Sequence, residues 1–246
     1  MNPAWRQLNS EIVACRRCPR LVQYRERIAR DKRRAYRDWD YWGRPVPGFG
    51  DPKARIVLIG LAPGAHGSNR TGRMFTGDAS GEFLYAALHR AGLANLPTAQ
   101  HAYDGLELRD TFITAICRCA PPDNKPTPQE QLNCRPYLAR ELVLLKQARV
   151  VVALGRIGLD GYLRLLREQG HAVPRVKFAH GATYRLESLA KVRPERRAVH
   201  LNELSQGSLP TLVCSYHPSR QNTQTGRLTA AMMDDVVEAA KKIAMG

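Results

Sequence analysis

Thiols are the first residues whose type and spacing could do chemistry. The chain has six cysteines, Cys15, Cys18, Cys117, Cys119, Cys134 and Cys214. Two residues separate Cys15 from Cys18, a spacing that lets both thiolates reach one metal centre. Cys119 follows an apolar run, and Cys134 lies fifteen positions further on. Cys117 and Cys214 sit inside apolar runs, where a buried small side chain is the expected role. Cys15, Cys18, Cys119 and Cys134 are therefore the candidate ligand set, and spacing alone does not separate zinc from an iron–sulfur cluster.

The second set lies in a glycine-rich stretch from Gly60 to Gly81, which holds His66, Asn69, Phe75, Asp78 and Ser80 and has no apolar face. A β-rich run, Ile56 to Ile59, leads into it. Phe83, Leu84, Ala87, Leu88 and Ala91 follow at helical spacing. A strand that ends in such a loop and feeds a helix is where open α/β sheets bind ligands. Ordinary connections of this kind span only about 2–6 residues, so the length argues for function. A third candidate is His217, directly after the apolar run Leu212–Tyr216 and before Pro218 and Ser219.

The elements that position these groups follow from periodicity. Short apolar runs at Arg55–Gly60, Thr111–Ile116, Val150–Leu154 and Leu212–Tyr216 predict strands buried on both faces. Helical patterns separate them. Thr127 and Glu130 form a capping box with Pro128 at the first helical position, so a helix starts there. Leu138, Leu142 and Leu145 form its apolar stripe, and Pro136 is expected to kink it. Trp5, Leu8 and Ile12 share a face of an N-terminal helix. Met232, Val236, Ala240 and Ile243 share one near the C-terminus, where Lys241 and Lys242 suit the helix dipole. Strands alternating with helices predict an α/β fold with a mainly parallel sheet, read here as a single domain over residues 1–246. The stretch 185–210 is polar, basic and weakly periodic, and is expected to be a surface excursion.

Composition narrows the partners. Lys and Arg outnumber Asp and Glu by 38 to 22, a formal charge of +16. This favours nucleic acid first and an anionic membrane surface second. Between Arg16 and Arg37 ten basic residues meet two acids, so this segment holds half of the net charge. Tyr24, Tyr36, Trp39, Tyr41 and Trp42 are interleaved or follow, a combination suited to a nucleic-acid backbone. No apolar run nears the ~20 residues that span a bilayer, and the N-terminus shows no signal peptide. A cytoplasmic protein is expected, in which disulfides poorly explain cysteines.

Taken together, the loop from Gly60 to Gly67, Arg73-Met-Phe-Thr-Gly-Asp78, Arg118 to Pro128 and Tyr216 to Arg227 resemble the uracil-DNA glycosylases of family 5, the type b enzymes of prokaryotes. The likeness runs from Cys15 to the final helix. It implies a three-layer α/β/α sandwich around a four-stranded parallel sheet, and a [4Fe–4S] cluster on Cys15, Cys18, Cys119 and Cys134 with a structural role. By the same resemblance His217 bonds the uracil carbonyl, Phe75 stacks on the flipped base and Asn124 reads the uracil edge. Backbone at Gly60, Ala62, Pro63 and Gly64 lines the pocket, and Ser219, Arg220, Gln221 and Asn222 belong to a loop that enters the minor groove. Most relatives in the wider superfamily place an Asp, Asn or Glu just after the first glycine, where this chain has Leu61 and Ala62. Water positioning then falls to Asp78, although Asp78 or Ser80 also suits a helix cap. His66 and Asn69 are further candidates for substrate or phosphate contact.

The expected activity is monofunctional excision of uracil from single- or double-stranded DNA, extending to hypoxanthine and xanthine, by a monomer acting in base excision repair. Two rivals stand beside it. A covalent uracil-DNA trap would need a nucleophile, for which His66 is the nearby candidate. A zinc-stabilised nucleic-acid-binding protein would need neither His217 nor Asp78.

Overall fold

Alternation along the four apolar runs decides the architecture. The computed structural model describes residues 2–186 and 209–246, so most of the 185–210 stretch lies outside the described residues. Helices α1 (Pro3–Val13) and α2 (Pro19–Asp31) come first, then β1 (Phe49–Gly50), β2 (Ile56–Gly60), α3 (Ser68–Thr71) and α4 (Ala79–Arg90). There follow β3 (Thr111–Ala115), α5 (Pro128–Leu144), β4 (Val150–Leu154) and α6 (Gly155–Glu168). The described chain ends with β5 (Thr183–Tyr184), β6 (Thr211–Ser215), α7 (Arg220–Gln224) and α8 (Ala230–Met245).

The strand order is β1-β3-β2-β4-β6-β5. The four strands expected from the sequence form the parallel centre. The expected count of four is corrected by two two-residue strands, β1 and β5, which pair antiparallel at the edges. Pairs this short have no periodicity to read. Side chains alternate between two cores, as period-2 geometry demands. Ile56, Leu58, Val150, Val152 and Val213 face the layer of α4 and α8. Val57, Ile59, Val151, Leu212 and Cys214 face α1, α5 and α6. This is the α/β/α sandwich.

Helix α5 starts at its capping box, with both reciprocal bonds present. It also runs on through Pro136, where a kink was expected. Pro136 is exposed, so the Leu132 carbonyl that loses its helical partner can turn to water. Lys241 does not serve its own helix end. Its Nζ donates to the Ala91 carbonyl at the end of α4, 2.6 Å away, tying the two helices of one layer together.

Candidate base-binding cleft and thiol cavity

At the carboxyl ends of the parallel strands lies a cleft of about 900 Å³, bordered by the glycine-rich loop, the turn at 121–124, the His217 segment and one flank of α2. Its walls are set by the ladder itself. The parallel pairing continues past the strands, with Ile116 and Cys117 donating to the carbonyls of Gly60 and Leu61 at 3.0 Å each. The loop that carries Asn124 is thereby laid beside the glycine loop. Asn124 is exposed on the cleft wall, and it and Asp123 hold positive φ values of 55° and 53°.

Phe75 is 9 % exposed and also has a left-handed backbone, φ 51°. A bulky residue there is strained by about 1–3 kcal/mol and persists only where its surroundings over-determine it. They do so here. The Tyr85 hydroxyl donates to the Met74 carbonyl at 2.9 Å, and Thr76 accepts from Arg73 Nε at 2.9 Å. A Cβ on Gly81 would sit 1.7 Å from the Phe75 carbonyl oxygen, so only glycine admits this turn against α4. The Phe75 ring covers Gly60 and stacks on His217, with centroids 5.6 Å apart and planes 30° apart.

Asp78 is the N-cap of α4, its Oδ1 accepting from Gly81 N at 3.0 Å. Capping is thus an established duty of this side chain. Its other oxygen lies on the backbone of the glycine loop, since a Cβ on Gly67 or Gly64 would come within 2.0 or 2.8 Å of Oδ2. Burial pushes the carboxyl above its ordinary range, against the opposing pull of the Gly81 and Ser80 amides. Burial also lowers His217 to about 4, so its imidazole is neutral near pH 7. His66 meets the Tyr41 hydroxyl at 3.1 Å, and burial followed by Arg33 and Arg70 lowers its pKa.

Of the residues expected here, Ala62, Gly64, His66, Phe75, Asp78, Asn124, His217, Ser219, Arg220 and Gln221 line one cleft. Leu61, without an acid to offer, lines it too. Gly60 lies beneath the Phe75 ring, and Pro63 is buried. Asn222 spends its amide on the His217 carbonyl, 2.9 Å away, rather than on the cleft wall. Asn69, expected to reach substrate, is fully buried and donates to the carbonyls of Arg25 and Ala65. The aromatic residues of the basic segment are also largely committed. Tyr36 and Trp39 each take the Arg70 guanidinium at 4.0 Å from the ring centre, and Trp42 packs on Gly72. They fasten the segment to the loop, while Tyr24, Tyr36 and Arg33 still border the cleft.

A family model for the uracil DNA glycosylase superfamily matches residues 47–241, most of the chain. The chain belongs to the uracil-DNA glycosylase superfamily. A type-5 uracil-DNA glycosylase of Thermus thermophilus is 51% identical over 235 residues, 95% of this chain and 95% of that one. One from Mycobacterium bovis is 49% identical over 239 residues, 97% and 81% of the two chains. One from Pyrobaculum aerophilum is 42% identical over 231 residues, 94% and 89%.

The second site of this superfamily member is a small cavity that Cys15, Cys18, Cys119 and Cys134 line together. Among the described residues no three His, Cys, Asp or Glu side chains are grouped as ligands of a single ion would be. Three of the sulfurs accept N–H bonds, Cys119 from Arg25 Nη1 at 3.0 Å, Cys134 from Arg118 N at 3.4 Å and Cys18 from Asn133 Nδ2 at 3.4 Å. The two arginines are 2 % and 1 % exposed. Arg118 pairs with the fully buried Glu141 at 2.6 Å, yet its Nε and Nη1, like Arg25 Nε, are buried without partners. N–H donors aimed at three of the four sulfurs fit an anionic, sulfur-rich group. Cys117 is buried at the same place and hydrogen-bonded to Cys134, whereas Cys214 is only a core side chain.

Sequence reasoning missed Arg25 and Arg118. Arg25 left a sign, a charge on the apolar face of α2 with Leu21 and Val22. Arg118 left none apart from its place between two cysteines.

Proposed function

We propose that this protein is a type-5 uracil-DNA glycosylase, which takes a uracil nucleotide out of the DNA stack into the cleft and hydrolyses its N-glycosidic bond. The observation that carries the reading is the convergence of Phe75, Asn124, Asp78 and His217 on one cleft in a member of this superfamily. Removing the target base from the stack is required because its glycosidic bond is shielded in the duplex. Phe75 offers a fixed aromatic face and Asn124 an amide for the base edge. As the bond breaks, negative charge gathers on the uracil and positive charge on the sugar. A neutral, partly buried His217 is a donor aimed at the leaving base, and such preorganised donors supply the largest single stabilisation. Asp78 lines the same cleft, with a carboxyl that burial raises above its ordinary value. It is assigned to the attacking water, while its other oxygen holds α4. Leu61 and Ala62 can do neither. With little acid–base chemistry beside the first glycine, leaving-group stabilisation dominates, and hypoxanthine and xanthine are accepted as well.

The thiol cavity is assigned a [4Fe–4S] cluster on Cys15, Cys18, Cys119 and Cys134, supported by the four thiols lining one cavity and by the N–H donors that Arg25, Arg118 and Asn133 present to the sulfurs. When bound, the cluster supplies charge and cross-linking, not bond chemistry. Cys15 and Cys18 join the N-terminal helices to the loops after β3, and so hold the basic segment against the cleft.

A labelled uracil duplex given to purified protein should yield free base and an alkali-labile strand. A stable protein–DNA adduct without free base would establish the covalent rival and overturn the assignment. A colourless protein containing zinc would overturn the cluster.

A further inference from the structure

His217 can serve as a donor only if its backbone is held while the base pulls on its ring, and two side chains hold it from opposite ends. On the carbonyl side, Asn222 Nδ2 donates to His217 O at 2.9 Å. On the amide side, the backbone N–H of Tyr216, one residue earlier, donates to His180 Nδ1 at 3.1 Å. The far nitrogen of the same ring, Nε2, lies 3.1 Å from the Met232 carbonyl in α8. An amide can only donate and a carbonyl can only accept, so this geometry fixes one tautomer, with the proton on Nε2 and Nδ1 free to accept. The ring also stacks on Tyr216, with centroids 5.1 Å apart and planes 24° apart. The opposite bond of the clamp therefore starts from helix α8 and ends one residue before His217.

We infer that His180 is a positioning residue for His217, its Nδ1 holding the Tyr216 amide at the end of β6 so that the imidazole meets the leaving base at a fixed height, while the Met232 carbonyl sets the tautomer that leaves Nδ1 free to accept. The inference rests on the reading of His217 as the donor to that base. Displacing a reacting group by about 1 Å can cost as much as a hundredfold in rate, so a residue that touches no substrate still acts on the chemical step.

Two replacements isolate the bond. In His180→Asn the side-chain oxygen falls near the place of Nδ1 and can still accept from Tyr216, whereas in His180→Gln it falls near Nε2. Both lose the ring stack and the ring volume; Asn can keep the bond from Tyr216 but not the one to Met232, and Gln can keep a donor to Met232 but not the acceptor for Tyr216, so a faster Asn variant assigns the effect to the Tyr216 bond. Single-turnover cleavage of a uracil duplex, duplex Kd by anisotropy and exchange of the Tyr216 amide are measured on the full chain, beside His217→Ala. The expected result is a rate about tenfold to a hundredfold below wild type for His180→Gln, with faster Tyr216 exchange and unchanged Kd, and a rate within about threefold of wild type for His180→Asn. Equal rates for the Asn and Gln variants would overturn the inference, whether both are fast or both slow. So would a Kd that worsens in step with the rate. If His217→Ala cleaves at the wild-type rate, the donor reading falls and takes the inference with it. If His217→Ala is slow while His180→Gln is fast, only the inference falls.

Discussion

The cleft and the thiol cavity share helix α2, and they differ in what their hydrogen bonds hold. In the cleft, Asp78 is capped, His66 has Tyr41, and the backbone around His217 is held at both ends. Its strain is backbone strain at Phe75, Asp123 and Asn124. Around the thiol cavity, N–H donors from Arg25, Arg118 and Asn133 are aimed at the sulfurs, and unpaired guanidinium nitrogens lie beside both sites, at Arg70 as well as at Arg25 and Arg118. The catalytic candidates of the cleft are held by other groups of the protein, which suits a transient ligand. In the other site the sulfurs themselves are the acceptors, which suits the resident group proposed for it. The two sites are thus told apart by whether their hydrogen bonds hold side chains and backbone or end on sulfur.

The largest effect that tests this contrast is loss of a thiol. Cys119→Ser or Cys134→Ser should remove iron and the brown colour and destabilise the fold, because the binding free energy of a resident group is also folding free energy. Metal analysis and urea unfolding check both parts. A variant that is colourless yet as stable as wild type would erase the distinction between the two sites.

The cleft should behave in the opposite way, losing chemistry and keeping stability. Serine is as good an N-cap as aspartate, so Asp78→Ser preserves the hold on α4 and deletes only the carboxylate. Its single-turnover rate should fall by ~10²–10³, comparable with loss of one preorganised catalytic group. Its unfolding midpoint in urea should stay close to wild type. A stability loss without a rate loss would leave Asp78 as a cap alone. His217→Ala should show a rate loss of the same order.

How much of this contrast could be read beforehand depends on the range of the interactions. The four central strands were legible to within a residue, because fully buried runs such as Val150–Leu154 cannot be mistaken in composition. The capping box at Thr127 was legible for the same reason, being local. Cleft residues were legible through motif and loop length. What was not legible depends on distant partners: Asn69 looked like a free polar residue until α2 was packed on it, and the rings at Tyr36 and Trp39 looked like DNA contacts until Arg70 came between them. His180 precedes a two-residue strand in an unpatterned stretch, and no local signal marks a side chain whose partners are Tyr216 and Met232.

Acid sharpens the comparison further. Burial holds His217 at about 4, against 6.5 for an ordinary histidine. Between those values the unfolded chain binds a proton that the native chain does not, so stability falls as the pH drops from 6.5 towards 4 and levels below it. The histidine contributes at most roughly 3 kcal/mol to that fall. His217→Asn should remove this part of the acid loss, measured as the difference between the two proteins in urea midpoints at pH 7 and pH 4.5. A difference that does not change with pH would mean that the native ring takes up its proton at the ordinary value.

The smallest effect concerns the basic segment that α2 carries to both sites. Arg33 and Arg34 are exposed, and Arg33 borders the cleft, whereas Arg70 from the glycine loop is buried between rings. If Arg33 and Arg34 each meet a phosphate, replacing either by Ala reduces the slope of log K against log salt by about 0.9 on duplex DNA and weakens uracil-containing and undamaged duplexes alike. The chemical step at saturating DNA should be unchanged, because neither residue touches the groups that act on the base. Loss of binding to the uracil duplex alone would move Arg33 from the backbone to the flipped nucleotide. An unchanged salt slope would make the exposed half of the segment a solvated face, leaving its anchored half, through Tyr36, Trp39 and Arg70, as the part that matters to the cleft.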